Sequence, residues 1–211
     1  VYVDGPYMAL FLLFYLMIFY CVMAGWNGRI LFLGTCCSVS IFCLCFYLAS
    51  REYQTAQFTF SAVDVGQGEC LYFETSGFSC IFDCGGSDAD LSGEAAARYL
   101  QTIGRNHLDC LILSHYDTDH MGGIPQLLSR VSVDTLYLPD FDDQTGNRAL
   151  VEKAAEEANT KVIYLSTGLT LTYPGGQMHI YPPQSTQSSN EASVSVLWSV
   201  GDFHILSTGD M

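Results

Sequence analysis

The run Leu113-Ser114-His115-Tyr116-Asp117-Thr118-Asp119-His120-Met121-Gly122-Gly123 most constrains how this chain folds. Two imidazoles and two carboxylates fall within six positions, directly after the apolar Cys110-Leu111-Ile112-Leu113. A strand ending in a glycine-rich loop lets short side chains converge from different directions. Converging His and Asp are donors that a divalent cation takes. Gly122 and Gly123 allow a sharp turn into the next helix. The chain has 5 histidines, so two in one six-residue stretch with alternating Asp argue against an incidental polar loop.

Charge divides the rest of the chain. Residues 1–51 carry only Asp4, Arg29 and Arg51, whereas residues 52–211 carry six basic and 21 acidic residues, a net −15. An acidic surface repels phosphates, which excludes a basic, free-standing nucleic-acid binder but not an enzyme that meets phosphate through metal. Residues 7–25 and 30–50 are uncharged and apolar, and a membrane-crossing helix needs about 20 such residues. The expectation is a transmembrane hairpin over 1–51, turning at Trp26-Asn27-Gly28-Arg29, followed by a soluble domain over 52–211. One arginine at the turn and one at the far end leave the charge rule for orientation tied. Val1 lies almost inside an expected membrane helix and Met211 directly follows Thr208-Gly209-Asp210, so both ends read as cut. Cys21, Cys36, Cys37, Cys43 and Cys45 are expected to pack in the apolar helices. Cys70, Cys80, Cys84 and Cys110 are expected as buried residues in or beside strands. None of these pairs is spaced as C-x-x-C.

Within the second part, alternation predicts strands over 57–65, 70–75, 79–82, 133–138, 161–165, 169–172, 177–181, 193–199 and 202–207, with a short buried run over 109–114. Helices are predicted over 91–103, from Pro125 to about 129, and over 147–158, with Gly104 and Asn159 as stops. Residues 182–190 are polar and Pro/Ser-rich, hence a loop. This order suits α/β architecture, two sheets between outer helices with strands ending at one shared edge.

The His/Asp run resembles the metallo-β-lactamase superfamily loop His-x-His-x-Asp-His, with Asp117 in place of the second His. That variant, with Asp64-Val65-Gly66-Gln67-Gly68 upstream and the apolar stretch before it, is similar to the C-terminal part of ComEC-type competence DNA-uptake channel proteins. The resemblance implies an αββα metallo-β-lactamase-like domain behind two transmembrane helices, incomplete at its C-terminus. It implies two divalent ions, His115 and Asp117 holding one, Asp119, His120 and Asp210 the other. Asp210 is similar to the superfamily's bridging carboxylate. Asp119 and Asp83 are the carboxylates expected to serve catalysis, Asp83 by orienting a metal ligand through a hydrogen bond. A turn role before Gly85-Gly86 is the competing reading of Asp83. Asp64 is read either as a support from the neighbouring strand or as a turn residue. Where the superfamily places a further His, this chain has Asn190-Glu191-Ala192-Ser193, and Asn190 and Ser193 match the ComEC-like pattern. The superfamily's final His is expected beyond Met211, so the 211-residue chain is expected to be inactive. His107, His179 and His204 match no motif position, and the last two are read as structural.

Asp117 makes the set richer in oxygen, which brings Mn²⁺ or Mg²⁺ into competition with Zn²⁺. Two such ions about 3.5–4 Å apart suit hydrolysis of a phosphodiester. The resemblance implies DNA as substrate, the rest of the channel protein as partner, and a multi-pass place in the bacterial cell membrane with the domain on the outer face. Two other classes stand beside this one. A non-catalytic channel accessory is opposed by the intact His/Asp set. A lactamase or thiolester hydrolase is opposed by Asp117 and by the apolar segment.

Overall fold

A computed structural model describes residues 14–20, 22–23, 27–29, 32, 34–43, 58–141, 144–183 and 192–210. The chain divides into Val1–Ala56 and Gln57–Met211.

The first unit corrects the membrane expectation. Among the described residues no helix is long and apolar enough to cross a membrane. Residues 14–20 and 34–43 are helical. The expected pair of transmembrane helices, and the multi-pass placement built on them, are therefore not supported. Much of both expected spans, including 7–13 and 44–50, lies outside the described residues. Cys36, Cys37 and Cys43 are exposed, not packed as expected, and Cys21 and Cys45 lie outside the described residues.

The second unit opens with three antiparallel strands, β1 (Phe58–Ala62), β2 (Leu71–Thr75) and β3 (Phe78–Phe82). Helix α1 (Ala89–Thr102) follows, capped by the Asp88 carboxylate, which accepts the Leu91 N–H. A cap of this kind satisfies a helix N–H that has no partner within the helix. Next come β4 (His107–Ile112), the short α2 (Thr118–Met121) and α3 (Ile124–Leu128), β5 (Ser132–Pro139), α4 (Asn147–Glu157) and β6 (Lys161–Leu165). Helical crossovers make β3, β4, β5 and β6 parallel, completing a six-stranded sheet in the order β1-β2-β3-β4-β5-β6. The remaining strands are β7 (Leu169–Tyr173), β8 (Gly176–Tyr181), β9 (Ser195–Val200) and β10 (Phe203–Ser207). They form an antiparallel sheet in the order β10-β9-β8-β7.

Because successive strand residues point to opposite faces, the larger sheet has two apolar faces. Ile81, Leu111, Leu136 and Leu138 pack against Ala96, Leu100, Leu127 and Val151 of the helices. Phe73, Phe82, Ile112 and Tyr137 pack against Met178, Ile180, Val196 and Trp198 of the smaller sheet. Trp198 is 1% exposed, with its ring 5.6 Å from Phe60 and 5.8 Å from Phe82. The four cysteines of this unit are buried free thiols.

Among the described residues helices cover only the outer face of the six-stranded sheet, so the layers are helix, sheet, sheet. The smaller sheet turns polar or exposed residues outward, including Thr170, His179, His204 and Leu206, the last 60% exposed. This outward face lacks the continuous apolar set that a covering helix would bury.

Candidate metal centre

The parallel strands β3 and β4 end side by side, and their next residues build the site. Asp83 follows β3 with φ 58°. Asp tolerates this left-handed conformation better than most residues, because its short side chain bonds locally. Its carboxylate is fully buried. It accepts the Ser114 N–H at 2.6 Å, the Ser114 Oγ–H at 2.6 Å, and Nδ1 of His120 lies 2.8 Å away.

Ser114 and His115 follow β4, both fully buried. Ser114 Oγ lies 2.9 Å from His115 Nδ1, and Ser193 Oγ lies 3.3 Å from the same nitrogen. A carboxylate only accepts, so Ser114 spends its proton on Asp83 and offers a lone pair to His115. This places the His115 proton on Nδ1, and contact with Asp83 places one on Nδ1 of His120. Once His120 is neutral, as binding a cation requires, both Nε2 atoms present lone pairs on the other side of their rings. The rings lie 4.1 Å apart, centroid to centroid. His115 Nε2 is buried with no hydrogen-bond partner, and His120 Nε2 is 3.1 Å from Asp210 Oδ1.

Backbone contacts lock these loops together. Glu69 N–H donates to Asp119 C=O at 3.0 Å, Gly85 N–H to Glu69 C=O at 3.1 Å, and Cys84 N–H to His120 C=O at 2.8 Å. A Cβ on Gly68 would lie 2.6 Å from Asp119 O, and one on Gly85 would collide with the Asp119–His120 peptide. The glycines of the Asp64–Gly68 and Asp83–Gly86 segments therefore allow backbone to pack on backbone beneath the His/Asp loop.

The electrostatics follow from burial and neighbouring carboxylates. Burial, and then the charge of His120, push the His115 pKa down. Burial also opposes charge on His120, but the Asp83 hydrogen bond and the charges of Asp83, Asp210 and Asp119 outweigh it and raise the pKa to about 9. Glu69 is raised by burial and by the Asp83 charge.

The expected site residues are placed as follows. His115, His120 and Asp210 each offer a ligand atom within 4.8 Å of the others. Asp117 stands just outside, with Oδ2 3.6 Å from His115 Nε2. Asp117 and Asp119 belong to neither of the three-residue sets that the described residues form, because α2 begins between them and carries Asp119 along its own turn. Ser193 reaches His115, as above. Asp64 is exposed and its carboxylate accepts the Gly66 N–H at 3.2 Å, the turn role of the two left open. Asn190 lies outside the described residues.

Two participants escaped the sequence reading. Ser114 directly precedes His115 at the strand end. Glu69 follows the Asp64–Gly68 motif and forms a second three-residue set with Asp83 and His120. The signal for each was adjacency to a motif.

The donor set suits a divalent ion. An unpartnered buried ring nitrogen, a second imidazole and a carboxylate within one coordination radius are the chemistry of such a centre. The sequence profile of the metallo-β-lactamase superfamily matches residues 63–211. The chain belongs to this superfamily. Divalent metals, usually zinc, are bound by its members, and His115, His120 and Asp210 form this member's candidate site.

Similarity to curated relatives extends further along the chain. It is 24% identical over 195 residues to ComE operon protein 3 of Bacillus subtilis (strain 168), covering 84% of this chain and 24% of that protein. It is 29% identical over 182 residues to Recombination protein 2 of Haemophilus influenzae (strain ATCC 51907 / DSM 11121 / KW20 / Rd), covering 82% of this chain and 21% of that protein. This metallo-β-lactamase superfamily member thus spans about a quarter of the length of these relatives. Among solved structures, a Cronobacter sakazakii metallo-β-lactamase with a HARLDQ motif superposes with a TM-score of 0.51. Its identity is 14%, over 72% of this chain and 62% of that one, a likeness of fold.

Proposed function

We propose that the chain is a divalent-metal-dependent phosphodiesterase that hydrolyses DNA, with a role in DNA uptake. The observation carrying this reading is Nε2 of fully buried His115, which has no hydrogen-bond partner and is set beside His120 Nε2 and Asp210, with Asp117 Oδ2 3.6 Å away. Burying a polar atom without a partner costs about 1–3 kcal/mol, and a bound cation removes that cost. The similarity to ComE operon protein 3 and Recombination protein 2 over more than four-fifths of the chain supports DNA as the substrate.

His115 and Asp117 would hold one ion, and His120, Asp119 and Asp210 the other. The oxygen-rich set favours Mn²⁺ alongside Zn²⁺, with Mg²⁺ a third candidate. When bound, such ions supply Lewis acidity and a water acidic enough to act as nucleophile near neutral pH. The chain's own residues prepare that chemistry. Asp83 holds a proton on Nδ1 of His120, and Ser114 and Ser193 hold the Nδ1 side of His115, so both imidazoles keep their ligating nitrogens free and fixed in direction. Within residues 58–210, the described arginines each face a carboxylate. Arg98 and Arg130 face Glu94, Arg105 faces Glu74, and Arg148 faces Glu152.

The test is cleavage of end-labelled single- and double-stranded DNA with Mn²⁺ or Zn²⁺, beside a small chromogenic ester, by the protein carrying the final His that the resemblance implies, since the 211-residue chain alone is expected to be inactive. The expected result is DNA cleavage that EDTA stops and that His115→Ala and Asp210→Ala abolish. Ester hydrolysis without DNA cleavage, or DNA cleavage surviving both substitutions, refutes the reading.

A further inference from the structure

Glu69 has no role in the reading above, yet it touches three of the segments that build the site, those of Gly85, Asp119–His120 and Ser207. Its N–H and C=O are tied to Asp119 and Gly85. Its side chain is about one-quarter exposed and reaches across to the other sheet, where Oε1 accepts the Ser207 Oγ–H at 3.1 Å. Oε2 lies 3.7 Å from His120 Nδ1. Ser207 ends β10, and three residues later Asp210 meets His120. Between them Gly209, at φ 58°, lies so close to Ser114 that a Cβ there would sit 2.9 Å from the Ser114 Cβ. The Ser207–Asp210 arm is thus seated at three places: Ser207 on Glu69, Gly209 on Ser114, and Asp210 on His120.

We propose that Glu69 is a positioning residue whose carboxylate docks Ser207 and so sets Asp210 against His120; this rests on the metal-centre reading given above. Direct ligation by Glu69 in the neighbouring set of Glu69, Asp83 and His120 is the competing arrangement, but the other two members already bond one another and Ser114. Both Asp83 oxygens accept from Ser114, and Nδ1 of His120 is bonded to Asp83. The Ser207 contact is the side-chain hydrogen bond of Glu69, and it acts on the residue that leads to Asp210. A side chain linking two layers at their loop ends fixes a distance that neither sheet fixes alone.

The experiment titrates Mn²⁺ alone into the full chain and into Glu69→Ala, Ser207→Ala, the double variant and Glu69→Gln, following stoichiometry and affinity by calorimetry, with circular dichroism to check folding. Removing a group that orients a ligand weakens metal binding by about 10- to 100-fold. Glu69→Ala and Ser207→Ala should each weaken the ion held by Asp210 by about 10-fold or more and leave the ion at His115 in place. Because the two act through one contact, the double variant should be no worse than Glu69→Ala. The Gln amide oxygen still accepts from Ser207, so Glu69→Gln should stay within about 3-fold of the parent, since only the shared hydrogen bond is needed. Effects of Glu69→Ala and Ser207→Ala that multiply in the double variant overturn the proposal. So does Glu69→Gln as damaging as Glu69→Ala, the result for direct ligation. If Glu69→Ala does not fold, Ser207→Ala and Glu69→Gln decide: parental Mn²⁺ affinity in Ser207→Ala also overturns it. A parent chain that takes up no Mn²⁺ overturns the metal-centre reading itself, and this proposal with it.

Discussion

Replacing Asp83 with Asn changes one atom and tests the logic of the site. The substitution keeps the shape and tolerates the φ of 58° at this position. The amide oxygen can still accept the Ser114 N–H, but an NH₂ now faces Ser114 Oγ and His120 Nδ1, which lie 2.6 and 2.8 Å from the present Oδ2. A donor facing Nδ1 forces the His120 proton to Nε2, the nitrogen beside Asp210, and a protonated nitrogen cannot ligate. Hydrogen bonds to a charged group contribute about 1.5–3 kcal/mol each and two are disrupted, so the metal-free chain should lose about 3–6 kcal/mol. Metal affinity should fall by about 10- to 100-fold, the usual loss when a ligand's orienting partner is removed. Asp83→Ala should cost about 1–2 kcal/mol more, because Ala resists the left-handed region. Urea unfolding in EDTA measures the first loss, and Mn²⁺ or Zn²⁺ titration the second. Asp83→Asn with parental metal affinity would show that the tautomer of His120 is not set by this carboxylate.

Three further outcomes are expected. The metal-free chain should lose stability as pH rises: His120 carries a raised pKa of about 9 against 6.5 when unfolded, so its contribution is complete below 6.5 and gone above 9. It is on the order of 3 kcal/mol, and urea midpoints across that window should flatten in Asp83→Asn. Gly68→Ala should cost more than about 3 kcal/mol because its methyl group meets rigid backbone. Gly104→Ala, at φ 77° in open space, should cost only about 1–2 kcal/mol, and thermal melts of the two compare them directly. Stripping metal should lower the melting temperature, since an ion at about 100 times its Kd stabilises by about 2.7 kcal/mol; an unchanged melt after chelation would contradict a structural share for the ion.

The regular elements were legible because their signals are local. Strand β6 starts and stops where alternation placed it, and α1 runs two residues further towards its N-terminus than its apolar pattern, because Asp88 caps it. Helix α2 was missed because one turn carries no periodicity. Ser114 and Glu69 were missed for a different reason. Their roles depend on partners 31 and 138 residues away, Asp83 and Ser207, and no spacing rule reaches across such separations. The membrane expectation failed on length: apolar composition permits a spanning helix but does not oblige one to form, and among the described residues none is long enough.

The candidate ligands come from both layers. His115 and His120 extend from the six-stranded sheet, whereas Asp210 follows β10 and Ser193 precedes β9. Val194 N–H bonds to Ser114 C=O at 2.9 Å across the same seam. An ion held there acts as a clasp on a hinged book. Prising the sheets apart to wet Trp198 and Phe82 requires its release, so the loaded chain should open only when the ion leaves. Exchange of amide protons along β9 would then keep time with metal dissociation, and the candidate metal centre would double as the latch that makes the two halves unfold as one.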